Sequence, residues 1–311
     1  MNDSTYDSGL GPYLRARRDR LTPEQAGLPP GPGVRRIPGL RREELASLAG
    51  ISIDYYTRLE RGRELHPSPA VVDSLARALR LDESEEQHLR DLTACAARAS
   101  ASPTSEEPPP APSRSLPPGI EAILERLRPF PATVVSRTLD VLACNPGGLR
   151  LYAGLDQWPA HRRNLARYVF LHPDAPELLD DWDVHIRGCV SRLRVLAGTE
   201  PGAPDLAELV AELKARSEDF ATLWDRYDVS PQASGAKAYH HPDVGDLALG
   251  FQSLPIEGTP GHRLTVYHAE PGTPDHAAMV RLDTLRPDDG QAAEDSGLSV
   301  PGSVHTARLA P

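Results

Sequence analysis

Arg58, Arg61 and Arg63 follow directly on Ile53, Asp54, Tyr55 and Thr57. A guanidinium is a permanently charged, planar fork of donors, and it fits phosphate oxygens and the guanine edge. Tyr and Thr hydroxyls add neutral contacts. The chemistry in reach is contact with a nucleic acid, not bond making, although unpartnered surface Arg is also common. To act together these side chains must leave one face of a short helix, and the preceding residues supply it. Leu45, Leu48 and Ala49 fall at i, i+3 and i+4, which predicts a first helix with one apolar face. Gly50 gives the backbone freedom of a sharp turn. Ser52 can cap a second helix by accepting from one of its unpaired amides, and it stands at the edge of the polar surface. Tyr56 and Leu59 then face inward, which leaves Ile53, Asp54, Tyr55, Thr57, Arg58 and Arg61 outward. Asp54 either accepts from a cytosine amino group or simply favours the helix N-terminus. Arg35 and Arg36 sit on a loop punctuated by Pro and Gly, residues 28–39. Such an arm either reaches phosphates or a minor groove, or stays in solvent.

The charge distribution agrees with a local contact. The 311-residue chain has formal net charge −10, yet residues 10–65 hold eleven Arg against seven Asp or Glu. An acidic protein with one basic stretch suits local phosphate contact over indiscriminate binding. An excess this small also fits a solvated face. Arg outnumbers Lys throughout, as a GC-rich genome would also produce. Three widely spaced Cys give neither a disulfide framework nor zinc spacing. With no apolar run of membrane-spanning length and a polar start, the chain is expected to be soluble and cytoplasmic, with no membrane partner.

Composition divides the chain into an all-α bundle over 9–97, a Pro-rich linker over 98–118, a larger α+β domain over 119–285 and a disordered tail over 286–311. In the first, Leu10–Arg20 reads as a helix and Thr22-Pro23-Glu24 as another helix start. Ser68-Pro69 opens a helix with Val72, Leu75, Ala76 and Leu79 inward. A last helix begins at Asp82 or Ser84, with Leu89, Leu92 and Ala96 on one face. Seven Pro fall in 98–118. All Trp and Phe lie beyond Gly119. Ile120–Leu127 predicts an amphipathic helix, and Thr133–Ser136 and Val141–Cys144 predict strands. Helices follow around Ile186–Leu193, Leu206–Leu213 and Phe220–Tyr227. Strands return at Leu247–Phe251 and Leu264–Val266, then a helix over about Asp275–Leu285. About 165 residues can enclose a pocket.

The run Glu43-Glu44-Leu45-Ala46, Leu48-Ala49-Gly50-Ile51-Ser52 and Arg58-Leu59-Glu60-Arg61-Gly62 resembles the helix-turn-helix of Cro/C1-type (xenobiotic-response-element) repressors. That resemblance implies that Arg41 and Arg42, at the start of the first motif helix, meet phosphate or base. Residues 10–285 as a whole resemble the MmyB-like regulators. The likeness rests on Leu14-Arg15-Ala16-Arg17-Arg18, Pro38–Glu44 and Asp54–Glu60, and more loosely on Asn164–Arg167, His240–Pro242 and Val266-Tyr267 with Ala269–Gly272. It implies a PAS-like ligand-binding domain and an apolar small-molecule ligand, such as a fatty-acid-like one. The Pro-rich connection is longer than that family's usual one, and the extension after Arg286 has no counterpart in it.

The expected protein is therefore a sequence-specific DNA-binding regulator, a homodimer on a duplex operator, not an enzyme. An interaction module or an autoregulatory enzyme are the competing readings of its larger domain. No catalytic, cofactor or metal residues are assigned. No P-loop, G-x-S-x-G or dinucleotide fingerprint occurs, and adjacent His240 and His241 cannot face one site on a strand. Trp182, Trp224 and Phe251 are the candidate ligand-pocket walls, and Asn164, Arg167 and His240 the candidate anchors for a polar head group.

Overall fold

The computed structural model describes residues 9–29, 38–101, 114–200, 202–226 and 233–285. The five N-terminal helices are α1 (Leu10–Arg20), α2 (Arg42–Ala49), α3 (Ile53–Glu60), α4 (Pro69–Ala78) and α5 (Glu83–Ala101). Gly50 ends α2 at φ +68°, where a Cβ would be strained, and Ser52 Oγ caps α3 by accepting from the Tyr55 amide at 3.2 Å. Tyr13, Leu14, Leu45, Tyr56, Leu59, Leu75, Leu89 and Leu92 form one apolar core.

Three expectations here need correction. Leu48 is exposed, and Ala46 takes its place in the core beside Leu45 and Ala49. Thr22–Gly27 is a single turn, not a helix: Thr22 and Gln25 cap each other, and Gly27 turns the chain away at φ +77°. Helix α5 runs to Ala101, past the expected domain end at 97. Arg35, Arg36, most of the Pro-rich linker, Tyr227 and the tail after 285 lie outside the described residues.

The second unit is an antiparallel sheet between layers of helix. Strands β1 (Ala132–Val135), β2 (Val141–Cys144), β3 (Ser234–His241), β4 (Gly245–Pro255) and β5 (Arg263–His268) lie in the order β2-β1-β5-β4-β3. Helix α6 (Ile120–Arg126) covers one face through Ile120 and Leu124, over Ala132, Val134, Leu264 and Val266. The other face carries Val135, Leu247, Leu249, Phe251 and Tyr267, and the larger core packs on it. That core is completed by α7 (Pro146–Arg150), α8 (Leu165–Leu171), α9 (Ala175–Leu178), α10 (Trp182–Thr199), α11 (Pro204–Arg216), α12 (Glu218–Arg226) and α13 (Pro274–Thr284). The period-2 burial of β4 follows from this one-sided packing. Strand β3 escapes the sequence reading because Ser234-Gly235-Ala236-Lys237-Ala238 has little intrinsic strand preference; eight paired positions on β4 hold it. Helix α10 also reaches the N-terminal core, where Val195 packs.

Two buried histidines set an acid limit. Burial, then Arg17, pushes His88 down to about 4; burial, then Lys237, pushes His185 down to about 3. The fold keeps both neutral, whereas the unfolded chain protonates near 6.5. Their stabilisation is complete above that value and is lost as pH falls below it, by about 1.4 kcal/mol per pH unit for each histidine. Urea midpoints at pH 7 and pH 5 should show the drop, and His88→Phe should lose the part that His88 contributes. An unchanged slope in that variant would contradict this account.

Candidate nucleic-acid interface and ligand pocket

The outward side of α3 is open. Ser52, Ile53, Asp54 and Arg58 are exposed, Tyr55 and Thr57 are half-buried, and Tyr56 and Leu59 are core, as the sequence predicts. Arg58 lies over the Tyr55 ring at 5.6 Å. Arg61 and Arg63 are exposed just beyond the helix. Beside α3, Arg15, Arg18, Arg41, Arg42, Asp19, Glu43 and Ile53 line a groove of about 530 Å³. Two acidic and four basic groups leave it cationic.

One buried carboxylate organises this face. Glu60 accepts from Arg18 Nε (3.0 Å) and Nη2 (3.1 Å), and from Arg42 Nε (3.1 Å) and Nη2 (2.7 Å). Arg18 Nη1 also donates to the Leu40 carbonyl at 2.7 Å. Burial would push Glu60 up, but the hydrogen bonds from Arg18 and Arg42 outweigh it and hold its carboxyl below the usual range. The Arg42 guanidinium is thus held through one edge, while the side chain stays 42% exposed. Arg41 is tied less: its amide donates to Glu44 at 2.7 Å, and its side chain, 58% exposed, lies 3.5 Å from the exposed Glu43 carboxylate. Helix geometry brings together Arg15, Arg41, Arg42 and the α3 face. Arg15 and Arg18 were missed as members of this face. Their i, i+3 spacing on α1 was the available signal.

In the larger unit a cavity of about 80 Å³ lies between α10 and the inner sheet face. Helix α10 contributes Val184, His185, Gly188, Cys189 and Arg192; the sheet contributes Val135, Lys237, Phe251, Ser253, Thr265 and Tyr267; Leu139, Tyr152, Leu165 and Val169 close it. Its wall is mostly apolar, carries Arg192 and Lys237, and holds no Asp or Glu. Arg192 Nη2 is 3.5 Å from Ser253 Oγ, and Arg263 Nε donates to the same hydroxyl at 3.0 Å. Burial, then the charge of Arg263, lowers Arg192 to about 10. Among the described residues neither Arg192 nor Lys237 has a carboxylate partner; Lys237 lies over the Phe251 ring at 5.1 Å. His185 Nε2 is buried with no hydrogen-bond partner. Burial raises the Cys189 thiol.

Of the six ligand candidates, only Phe251 lies on this cavity. Asn164 caps α8 and donates to the Thr138 carbonyl (2.8 Å) and Asp140 (3.1 Å). Trp182 donates to the Val169 carbonyl at 3.1 Å. Trp224 stacks on Phe220, with the Arg194 guanidinium 4.0 Å from its ring. His240 is exposed and bonded to Asp246 at 2.7 Å. Arg167 bonds Glu212 at 2.7 Å, on a separate outer cleft with Trp158, Arg162 and Arg216. All five are committed to structural partners or to the surface, so none of them reaches the α10 cavity. The residues missed there had a signal: His185, Gly188, Cys189 and Arg192 fall at i, i+3, i+4 and i+7, beside the apolar stripe of Ile186, Val190 and Leu193. Among the described residues no His, Cys, Asp or Glu cluster could hold a metal ion.

The family model for the MmyB-like transcription regulator ligand binding domain matches residues 116–282, more than half of the chain. The chain belongs to the MmyB-like transcription regulators. A helix-turn-helix domain model matches residues 10–89 of the same chain. A comparison with curated proteins finds no match. This MmyB-like regulator therefore joins a DNA-binding helix-turn-helix to a ligand-binding α+β domain, and both matches point away from an enzyme. No helix of the described residues is long and apolar enough to cross a membrane.

Proposed function

We propose that this regulator enters the major groove with α3 and answers to a small molecule that has an apolar body and an acidic head. The reading is carried by the uncovered outward face of α3, where Ile53 is 45% exposed. Its duplex-facing set is Ser52, Ile53, Asp54, Tyr55, Thr57, Arg58, Arg61 and Arg63, flanked by Arg41 and Arg42 and by the arm of Arg35 and Arg36. The domains are taken as 9–101 and 119–285, the protein as cytoplasmic, and the DNA-bound form as a homodimer on a two-fold operator. Genome-wide immunoprecipitation would yield the operator. At fixed salt, Arg42→Ala and Tyr55→Ala should each weaken binding to it about tenfold or more. Unchanged affinity in both variants would defeat the assignment.

The ligand class follows from the pocket's charges. Arg192 and Lys237 stand in a carboxylate-free apolar cavity, and an acidic head group would neutralise them. A fatty-acid-like acid meets both requirements. Perturbed ionisable groups in a cavity also mark active sites. Here the groups are Arg192, lowered by burial, a neutral His and a thiol raised by burial, with no carboxylate to take a proton, which favours binding over catalysis. Natively purified protein should carry an acyl or similar acid in native mass spectrometry, and Arg192→Met should lose it. Apo mass alone, with loss during purification controlled, counts against the ligand class.

A further inference from the structure

The cavity and the DNA-binding bundle share one rigid part. Helix α10 is a single 18-residue helix. Gly188, Cys189 and Arg192 of its middle face the cavity. Six residues on from Arg192, about 9 Å along the axis at 1.5 Å per residue, the same helix seats on α5. At Gly198 the missing Cβ is what allows contact: an added Cβ would lie 2.3 Å from Leu92 Cδ2 and 3.4 Å from His88 Cε1. Cys95 Sγ donates to the Thr199 carbonyl at 3.0 Å. His88 in turn packs edge-on against Tyr13 of α1, centroids 5.0 Å apart, and α1 carries the Arg18 that holds Glu60 at the end of α3.

The cavity is small. Sites for small molecules measure roughly 300–1,000 Å³, against about 80 Å³ here. Anything larger than a few waters must move a wall. The sheet wall is fixed by continuous pairing of β3, β4 and β5. The helix wall is not, and helix shifts of about 1–2 Å are a common switching motion. Such a shift pulls Gly198 from Leu92.

We propose that α10 is the coupling element: filling the cavity and seating α5 on Gly198 oppose each other, so ligand entry unseats the DNA-binding bundle. The inference rests on the ligand-binding reading of the cavity. Linkage makes the opposition reciprocal, so locking the seat must weaken binding in the pocket.

The test uses the full chain and 8-anilinonaphthalene-1-sulfonate, an apolar body with an anionic head whose fluorescence rises on burial. In a Cys95→Ser background, Leu92→Cys with Gly198→Cys places two thiols across the seat. The oxidised form should bind the probe at least about fivefold more weakly than its own reduced form, the low end of measured couplings. Gly198→Leu, which forces the seat apart, should bind it at least about fivefold more tightly than the unaltered chain. Gly188→Phe fills the cavity and should abolish binding. Equal dissociation constants in the oxidised and reduced forms overturn the coupling while leaving the pocket intact. Equal binding by Gly188→Phe and the unaltered chain removes the pocket reading, and the coupling falls with it. If the thiols resist oxidation, Gly198→Leu decides: unchanged affinity overturns the coupling.

Discussion

Replacing Glu60 by alanine is expected to destabilise the helix-turn-helix domain by about 3–5 kcal/mol, the typical effect of removing one partner from a buried ion pair. The Glu60 side chain is 1% exposed and Arg18 6% exposed. Without the carboxylate, Arg18 keeps only the Leu40 carbonyl and Asp19, and its Nε is left in the core. Arg42 loses both of its hydrogen bonds and swings free. Glu60→Gln keeps the shape and one acceptor, so it should lose less. Native-state hydrogen exchange of the α1 and α3 amides in the full chain reads the change locally, which matters because two cores need not unfold together. Protection unchanged within about 0.5 kcal/mol would show that the pair contributes nothing net. The same carboxylate sets an acid limit. Its depressed value means its stabilisation is full above the ordinary carboxylate range and is lost as pH falls below it.

Glu60 also shows how much the chain disclosed in advance. The residue sits inside a motif that gave the turn, the cap and both inward aromatic and aliphatic positions, because those features are local and periodic. That its partners would be Arg18 and Arg42 depends on α1 crossing the end of α3, and long-range crossing leaves no mark on spacing. The pocket was harder still. Arg192, Lys237 and Ser253 come from a helix and two strands, and only the sheet order places them on one cavity. Asn164 has a structural use that its sequence context also signals. An Asn before an apolar run is a helix cap first, and here the cap role consumes it. Trp182 and Trp224 likewise pack in the core, since large side chains fill cores wherever cores are.

Charge reversal at Arg58 separates reading from mere proximity. The side chain is 56% exposed, and its nearest acid, Glu64, is 3.8 Å away. Surface substitutions of this kind change stability by within about 0.5 kcal/mol. Arg58→Glu should therefore leave hydrogen exchange of the bundle intact. On DNA it replaces an attractive contact with an anion facing phosphates, and a loss of about a hundredfold or more in operator affinity is expected at low salt. The deficit should shrink as salt rises, because the repulsion is screened over about 10 Å at 0.1 M. Retained affinity would mean that α3 does not enter the duplex. Arg58→Lys then distinguishes the kind of contact. A lysine keeps the charge but not the fork. If Arg58 grips a guanine edge, the lysine variant relaxes operator choice at one position. If it grips phosphate, operator choice and salt dependence both stay, because a point charge serves a phosphate almost as well.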